Sequence, residues 1–299
     1  MNDRNFHEML EAQWAKGNFV CVGLDSDYNH VEEITRQCRY FGGVRSCLTW
    51  FNKEIVRATR DLVCAYEPNI AFYEACGTEG LDALRETIAD IHRLAPDVPV
   101  ILDAAFKYLQ ADAITVSPYL GAEALEPFLK QADKGMIVLC RTSNPGAGEF
   151  QDKIITPSPQ EAQRWNIIQD SSDRMPEPYW EIKKLPLYQY VAYRVSREWN
   201  KNNNCALVVS ATYPKELREV RNIVGDMPIL MPGIGFQQKD ISFEEQVKMA
   251  VNTGKDSRGQ GIIINSSLDI IFASEGADFA EAAHYKTEKL RNLINQSLS

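Results

Sequence analysis

Hydrophobic residues occur along this chain in eight short, nearly continuous runs that amphipathic segments separate. Continuous apolar runs of this kind are typical of parallel strands that are covered on both faces. The predicted strands are Phe19–Leu24, Val63–Tyr66, Val98–Leu102, Ala113–Val116, Gly135–Leu139, Ala206–Val209, Pro228–Met231 and Gly261–Ile264. The segments between them have helical periodicity, and no break in composition divides the chain. The pattern therefore predicts an α/β fold, a single (β/α)8 TIM barrel over residues 1–299 with an N-terminal helix.

The third crossover departs from this rhythm. The stretch "VPVILDAAFKYLQADAITV" ends one predicted strand at Asp103 and begins the next at Ala113, ten residues later. Parallel strands need a crossover of about a dozen or more residues, usually a full helix. Because neighbouring strands of such a barrel are parallel, a hairpin is excluded, and the sequence predicts a shortened third crossover. The fifth crossover, 141–187, is instead long, and "RMPEPYWEIKKLP" within it is predicted to be a loop.

Composition and charge narrow the class of protein. The chain is 44% hydrophobic and 24% charged, and its net charge is -9 without a basic patch, which disfavours nucleic-acid binding. The seven cysteines form no C-x-x-C pair, so we expect reduced thiols. The N-terminus lacks the apolar core of a signal peptide, and no apolar run reaches about 18 residues. These observations predict a cytoplasmic protein that does not bind membranes.

Polar residues cluster just after the predicted strands, where barrels of this kind carry their chemistry. The first three strands lead into Asp25, Glu67 and Asp103. Later strands lead into "RTSNPG", "SATYP", "MPGIGFQ" and "NSSL". The strand interiors stay apolar, so this distribution indicates a site built at one end of a scaffold.

Seven ordered blocks of the sequence resemble the orotidine 5'-phosphate decarboxylase family, in its longer bacterial subgroup, and they span nearly the whole chain. The blocks are "FVCVGLDSD", "PNIAFYEACGTEGL", "ADAITVSPYLG", "VLCRTSNPGAGEFQD", "PLYQYVAYRVSREWN", "ATYPKELREVRNIVGDMPILMPGIG" and "IIINSS". The resemblance implies conversion of orotidine monophosphate (OMP) to UMP without a cofactor, in a homodimer whose active sites share the interface. It also implies an alternating Lys-Asp-Lys-Asp array, which places a cationic proton donor at the carbon that becomes basic.

The array is altered in this chain. Glu67 stands at the position of the first Lys, and Asp103 matches the first Asp. The sequence then continues directly with Ala104-Ala105-Phe106, so the rest of the array and part of the crossover are missing. After the last strand, Leu268 stands where the family has an Arg that contacts the phosphate. Asp103 and the altered Glu67 are therefore the candidate catalytic residues at the positions of the array.

By the same resemblance, several residues of this chain match ligand-binding positions of the family. Asp25 matches a contact to the ribose hydroxyls, and Ser143 matches a residue that hydrogen-bonds the pyrimidine. Further candidate ligand-binding residues are Asn69, Pro145, Gly233, Gly235, Gln237 and Ser267. The expected partner is a small pyrimidine nucleotide or an analogue of one.

Three hypotheses follow. The first is a homologue that binds a ligand like a pyrimidine nucleotide but has lost or changed the decarboxylation. The second is an enzyme of different chemistry that holds Mg²⁺ with Asp25, Glu67 and Asp103, since carboxylate oxygens suit that ion; against it, Glu67 could pair with Arg141 or Lys239. The third is an active decarboxylase, which requires a replacement lysine such as Lys107 or a catalytic loop that is missing only from the recorded sequence.

Overall fold

Eight parallel strands form one sheet in the computed structural model. The structure describes residues 4–103, 109–170, 180–235 and 241–299. Within these ranges, the side chains at 103, 169, 170, 180 and 181 are not described. The strands, including four outside this sheet, are β1 Val20–Leu24, β2 Val63–Pro68, β3 Ile101–Asp103, β4 Ala113–Val116, β5 Gly135–Arg141, β6 Ile154–Ile155, β7 Ile168–Asp170, β8 Trp180–Ile182, β9 Leu185–Pro186, β10 Cys205–Val209, β11 Ile229–Met231 and β12 Ile262–Ser266.

The order of the large sheet is β2-β1-β12-β11-β10-β5-β4-β3, and its neighbouring strands pair in parallel. A parallel bridge between Tyr66 and Val100 connects the two ends of this order and brings the sheet close to a closed barrel. Helices surround the sheet, so the predicted (β/α)8 TIM barrel is confirmed. All eight predicted strands are present, with ends that differ from the predicted ends by up to three residues.

Helices follow or precede most of these strands. They are α1 Phe6–Trp14, α2 Tyr28–Gln37, α3 Val44–Thr59, α4 Ile70–Glu74, α5 Gly77–Leu94, α6 Gly121–Leu129, α7 Gly148–Gln151, α8 Pro159–Trp165, α9 Leu187–Arg194, α10 Pro214–Val224, α11 Phe243–Gly254, α12 Leu268–Ile271 and α13 Phe279–Leu298. The long outer helices are amphipathic and bury one apolar stripe against the sheet; α5, for example, buries Leu84, Ile88 and Ile91. No helix within the described ranges is long and apolar enough to cross a membrane.

The third crossover is short and connects parallel strands. Ile101 pairs with Ala113 and Asp103 with Thr115, in parallel register, although only the nine residues 104–112 link β3 to β4. This confirms a shortened crossover and excludes a hairpin. The backbone N–H groups of Asp112 and Ala113 both donate to the carbonyl of Val100, which fixes the start of β4 beside the start of β3.

The long fifth crossover is more ordered than its composition predicts. The prediction that 174–186 is a loop is wrong in part, because β8 pairs with β7 and β9 pairs with β6 in two small antiparallel ribbons. A separate apolar cluster of Ala162, Trp165, Ile167 and Leu185 lies beneath these ribbons. Local proline content predicts a loop, but burial of Trp165 and Leu185 stabilises short strands there. The end of this crossover is helical: α9 ends at Arg194, and a π-helical turn, Val195–Trp199, follows it.

Candidate active site

Polar side chains from the ends of five strands meet in a cavity of about 220 Å³ at the carboxyl-terminal mouth of the barrel. Among the sequence-predicted site residues, Asp25, Glu67, Asn69 and Ser143 line it. The other described lining residues are Thr115, Leu139, Thr142, Asn144, Val208, Leu230, Pro232 and Asn265. The lining thus combines an apolar floor from the strands with uncharged polar groups and two carboxylic acids.

The remaining predicted residues have other placements. Pro145, Gly233, Gly235 and Ser267 follow their strands at the same end of the barrel but are not part of the described cavity lining. Asp103 ends β3, and its side chain lies outside the described part of the chain, as do Gln237, Lys239 and Lys107. Their proposed roles stay predictions.

Glu67 projects from β2 beside Asn265 of β12. The Asn265 amide Nδ2 donates a hydrogen bond to Glu67 Oε2, and it lies 3.9 Å from Cys21 Sγ on the intervening strand β1. Burial, together with the nearby Glu67 carboxylate, raises the pKa of the Cys21 thiol well above its usual value. Cys21 is therefore a neutral thiol under Glu67, and this corner of the cavity presents a hydrogen-bonded acid. Asn265 was not among the predicted site residues, although the block "NSSL", which begins with it directly after the last predicted strand, was a usable signal.

Asp25 follows β1, where a buried polar network fixes the strand end. Ser26 Oγ donates to Asn52 Oδ1 at 2.6 Å, and Asn52 Nδ2 donates to the Tyr73 hydroxyl at 3.0 Å. The Tyr73 hydroxyl in turn donates to the carbonyl of Leu24 at 3.2 Å. Because these groups are buried, each hydrogen bond fixes orientation strongly. Asn52 and Tyr73 lie within amphipathic helices, so their positioning role had no signal in the sequence pattern.

Asn69 has two structural functions. Its Oδ1 accepts a hydrogen bond from the backbone N–H of Ala71 at 3.1 Å and so caps the amino terminus of α4. The same side chain lines the cavity. Its position at the mouth is therefore fixed by the helix that it caps.

The segment after β5 is held by side chains of α7 and its following residue. Gln151 Oε1 accepts from the Thr142 N–H at 2.9 Å, and Gln151 Nε2 donates to Thr142 Oγ1 at 3.2 Å. The Ala147 N–H donates an i to i+3 hydrogen bond to the Asn144 carbonyl at 2.9 Å, which closes a turn over 144–147. These contacts place Ser143 on the cavity wall.

Arg141 is buried at the end of β5 and is not part of the described cavity lining. Its Nε lies 2.9 Å from Asp152 Oδ1, and its guanidinium stacks 3.9 Å from the centre of the Tyr213 ring. Among the interactions of the described residues, its ionic partner is thus Asp152 and not Glu67. The alternative that Glu67 pairs with Arg141 is not supported, and pairing with Lys239 stays untested.

The loop after β11 leaves the barrel through two glycines. Gly233 and Gly235 have φ angles of 97° and 102°, in the region that favours glycine. The Gly235 N–H donates to Gln246 Oε1 at 3.0 Å, and Gln246 Nε2 donates to the Ile241 carbonyl at 3.2 Å. One buried glutamine therefore ties both described ends of the segment that contains Gln237.

The end of β12 packs closely on β1. Ser267 Oγ donates to the Gly23 carbonyl at 3.1 Å, and a Cβ at position 23 would lie 2.7 Å from Ser267 Cβ. Only glycine fits at position 23 without a shift of the strand. Leu268 then begins α12 and is 43% exposed at the rim.

The described part of the chain was compared with the geometry that a metal centre needs. Over the described side chains, which do not include that of Asp103, no group of three or more His, Cys, Asp or Glu is arranged to hold a metal ion. The Mg²⁺ site of Asp25, Glu67 and Asp103 therefore stays a prediction.

Residues 18–268 match the family model described as "Orotidine 5'-phosphate decarboxylase / HUMPS family". The chain belongs to this family. It is 38% identical to an orotidine 5'-phosphate decarboxylase of Cellvibrio japonicus, with 97% of this chain and 98% of that protein covered. It is 39% identical to the protein of the same description from Ralstonia nicotianae, with the same coverage. OMP decarboxylases bind a pyrimidine nucleotide and need no cofactor.

Solved structures agree with the family membership. The chain superimposes on the OMP decarboxylase of Leishmania donovani with a TM-score of 0.70 at 29% identity, covering 96% of this chain and 99% of that one. It also superimposes on the UMP synthase of Leishmania donovani with a TM-score of 0.73 at 30% identity, where it covers 56% of the longer protein.

The alignment with one of these relatives contains positions that this chain lacks. The alignment with the Cellvibrio japonicus protein has 307 positions, and 97% of this chain of 299 residues is about 290 residues. About 17 aligned positions of that decarboxylase therefore have no counterpart in this chain.

Proposed function

We propose that this family member binds a ligand related to a pyrimidine nucleotide in the barrel mouth and has lost or changed the decarboxylation of OMP. The observation that carries the proposal is the Glu67 side chain in the cavity, where it accepts a hydrogen bond from Asn265. Loss of carbon dioxide leaves an electron pair on a ring carbon, and stabilisation of that charge needs a cation or a proton donor. A hydrogen-bond-accepting carboxylate at this place supplies neither.

The short third crossover supports the same proposal. Nine residues link β3 to β4, and the aligned decarboxylase is longer by about 17 positions somewhere along the chain. We assign most of this difference to the crossover, where the resemblance implies the catalytic loop. Without that loop, the second half of the charged array is missing.

An active decarboxylase is the second candidate, and the comparisons favour it. Relatives that are 38–39% identical over almost the whole chain carry that description. Turnover would then require a cation from a residue outside the array, for which Lys107 is the nearest candidate.

The test is a calorimetric titration of the full chain with UMP and with OMP, beside an ultraviolet assay that follows loss of OMP. The Cellvibrio japonicus protein is the positive control in both. Binding without turnover supports the proposal. Turnover within about tenfold of the control refutes it, and a Lys107→Ala variant then shows whether that lysine supplies the charge. Binding that appears only with added Mg²⁺ favours the carboxylate metal site.

Two further properties belong to the proposal. We propose that residues 1–299 form a single domain and that two copies form a homodimer, as the resemblance implies. Both are testable by the unfolding and sedimentation measurements described below.

A further inference from the structure

Exposed apolar side chains are concentrated on one side of the barrel. A short 3-10 turn, Pro118–Leu120, follows β4 and presents Tyr119 and Leu120, which are 86% and 75% exposed. Phe150 of α7 and Ile154 of β6 are 65% and 62% exposed, and these four side chains form an apolar face. Single exposed apolar side chains are ordinary, whereas a group of them marks an interaction surface. The other large apolar side chains that are exposed in the described ranges lie singly in separate parts of the chain, at Phe41, Leu81, Leu268 and Tyr285.

A groove of about 450 Å³ lies among these side chains. Tyr119, Phe150 and Leu187 line it, so the turn after β4, α7 and the start of α9 meet there. Ile154 adjoins the groove, because the Leu187 N–H donates to the carbonyl of Lys153 at 2.8 Å. The apolar face therefore combines projecting aromatic rings with a groove into which a ring can be inserted.

The charge that borders the groove is paired within the chain. Of the described residues that line the groove, the charged one is Arg194, and its Nη1 lies 3.1 Å from Glu161 Oε1. The whole chain has a net charge of -9, which repels a second copy from most of its surface. An uncharged apolar face is a place where two such copies can approach closely. The cores of protein interfaces are likewise depleted of charged residues and enriched in aromatic ones.

A second copy of the chain accounts for the apolar face better than a small ligand does. In a two-fold symmetric dimer each copy contributes the same surface, so a projecting side chain of one copy can enter the groove of the other, and the reverse. The four side chains offer on the order of 500 Å² of exposed area, and stable interfaces bury about 800 Å² per partner, which the groove walls can complete. A small molecule in the groove would instead leave Leu120 and Ile154 in water, since neither lines it.

We propose that two copies of this chain associate through the apolar face, with Tyr119 and Phe150 at its core. The inference rests on the homodimer of the proposed function and assigns the surface that forms it. This surface adjoins the barrel mouth, because Leu139 of β5 lines both the groove and the mouth cavity. Gln151, which holds Thr142 on the mouth wall, also lines the groove. The partner copy therefore packs directly behind one wall of the candidate site.

The test measures the dissociation constant of the dimer by sedimentation equilibrium, for the full chain and four variants of it. Tyr119→Asp and Phe150→Asp each place a charge in the apolar face, and we expect each to raise the dissociation constant at least about tenfold. Phe41→Asp and Tyr285→Asp are the matched controls, because these exposed aromatic side chains lie outside the face. They should change the dissociation constant by less than about twofold. Far-ultraviolet circular dichroism of each variant checks that the fold is retained.

The outcomes are distinct. A wild-type dimer that Tyr119→Asp and Phe150→Asp weaken, and that the controls do not, supports the inference. A dimer that these two variants leave unchanged, or that the controls weaken equally, overturns it while the homodimer of the proposed function stands. A wild-type monomer at all concentrations overturns both. Binding of a hydrophobic dye to that monomer, abolished by Phe150→Asp, would assign the groove to a small apolar ligand instead.

Discussion

Asp112, the last residue before β4, is predicted to hold the short third crossover in place. Its carboxylate is completely buried and accepts hydrogen bonds from Arg4 Nε at 2.8 Å, from Arg4 Nη2 at 2.6 Å and from the Val100 N–H at 2.9 Å. His92 Nε2 and Lys134 Nζ lie 3.6 and 3.7 Å from its oxygens. One acid thus connects the N-terminal segment, the start of β3 and the start of β4. Replacing it by asparagine removes the charge and leaves three donors around a neutral amide.

The expected loss of stability is large. Removal of one partner from a buried ion pair costs about 3–5 kcal/mol. Unfolding entropies of about 2.1 cal/mol/K per residue correspond, for a chain of this length, to about 0.6 kcal/mol/K, so a loss of about 3 kcal/mol lowers Tm by about 5 °C. Glu126→Gln, which removes an exposed pair, should change the free energy of unfolding by less than about 0.5 kcal/mol.

The pH dependence supplies a second measurement with a definite sign. Burial raises the pKa of Asp112, but hydrogen bonds from Arg4 and His92, the charge of Arg4 and the Val100 N–H outweigh burial and hold that pKa well below its ordinary value. Because the folded pKa lies below the unfolded value of about 3.9, this stabilisation is complete above about pH 5 and is lost as the pH falls below about 4. Urea unfolding at pH 7 and at pH 3.5 should therefore separate wild type from Asp112→Asn strongly at pH 7 and less at pH 3.5. Equal unfolding midpoints at pH 7 would refute the reasoning.

Three further predictions concern other parts of the molecule. Gln246→Ala removes the hydrogen bonds from this side chain to the backbone at positions 235 and 241. At about 1 kcal/mol per bond, it should lower the free energy of unfolding in urea by about 2 kcal/mol. An unchanged unfolding midpoint would contradict this expectation. Trp165→Ala empties the small cluster of the fifth crossover, so limited proteolysis should cut within 153–187 faster while the barrel stays intact; unchanged cleavage would show that this cluster does not hold the ribbons. Sedimentation equilibrium should give the mass of a homodimer, and a monomer at all concentrations would contradict this prediction. Thermal unfolding should show one cooperative transition, as expected for a single domain.

The barrel could be predicted from the sequence because its strands are buried on both faces. A run such as Val20–Leu24 is buried at every position, so hydrophobicity alone marks it. The strand ends were less certain. Ile101 starts β3 later than the apolar run begins, because Val98 and Val100 lie in the preceding loop and bridge, where they are buried without regular pairing. An apolar pattern indicates which residues are buried, and the buried residues extend beyond the hydrogen-bonded strand.

The candidate site was only partly predictable for a related reason. Asp25, Glu67, Asn69 and Ser143 lie at or just after the carboxyl ends of strands, so topology alone brings them to one mouth. Asn52, Gln151 and Gln246 act from helices through hydrogen bonds that depend on three-dimensional packing. No spacing in the sequence connects Gln246 with position 235, and therefore no pattern could have indicated it.

The third crossover is short, yet the two strands that it connects keep their parallel pairing. A crossover helix normally covers the outside of its strand pair and also carries the register between the strands. Here the register of β3 and β4 is set instead at their starts, where Val100 accepts from the N–H groups of Asp112 and Ala113 and donates to the Asp112 carboxylate. These bonds lie at the amino-terminal end of the barrel, opposite the cavity. A change at the carboxyl-terminal mouth therefore leaves them untouched, which separates the stability of the strand pair from the chemistry above it.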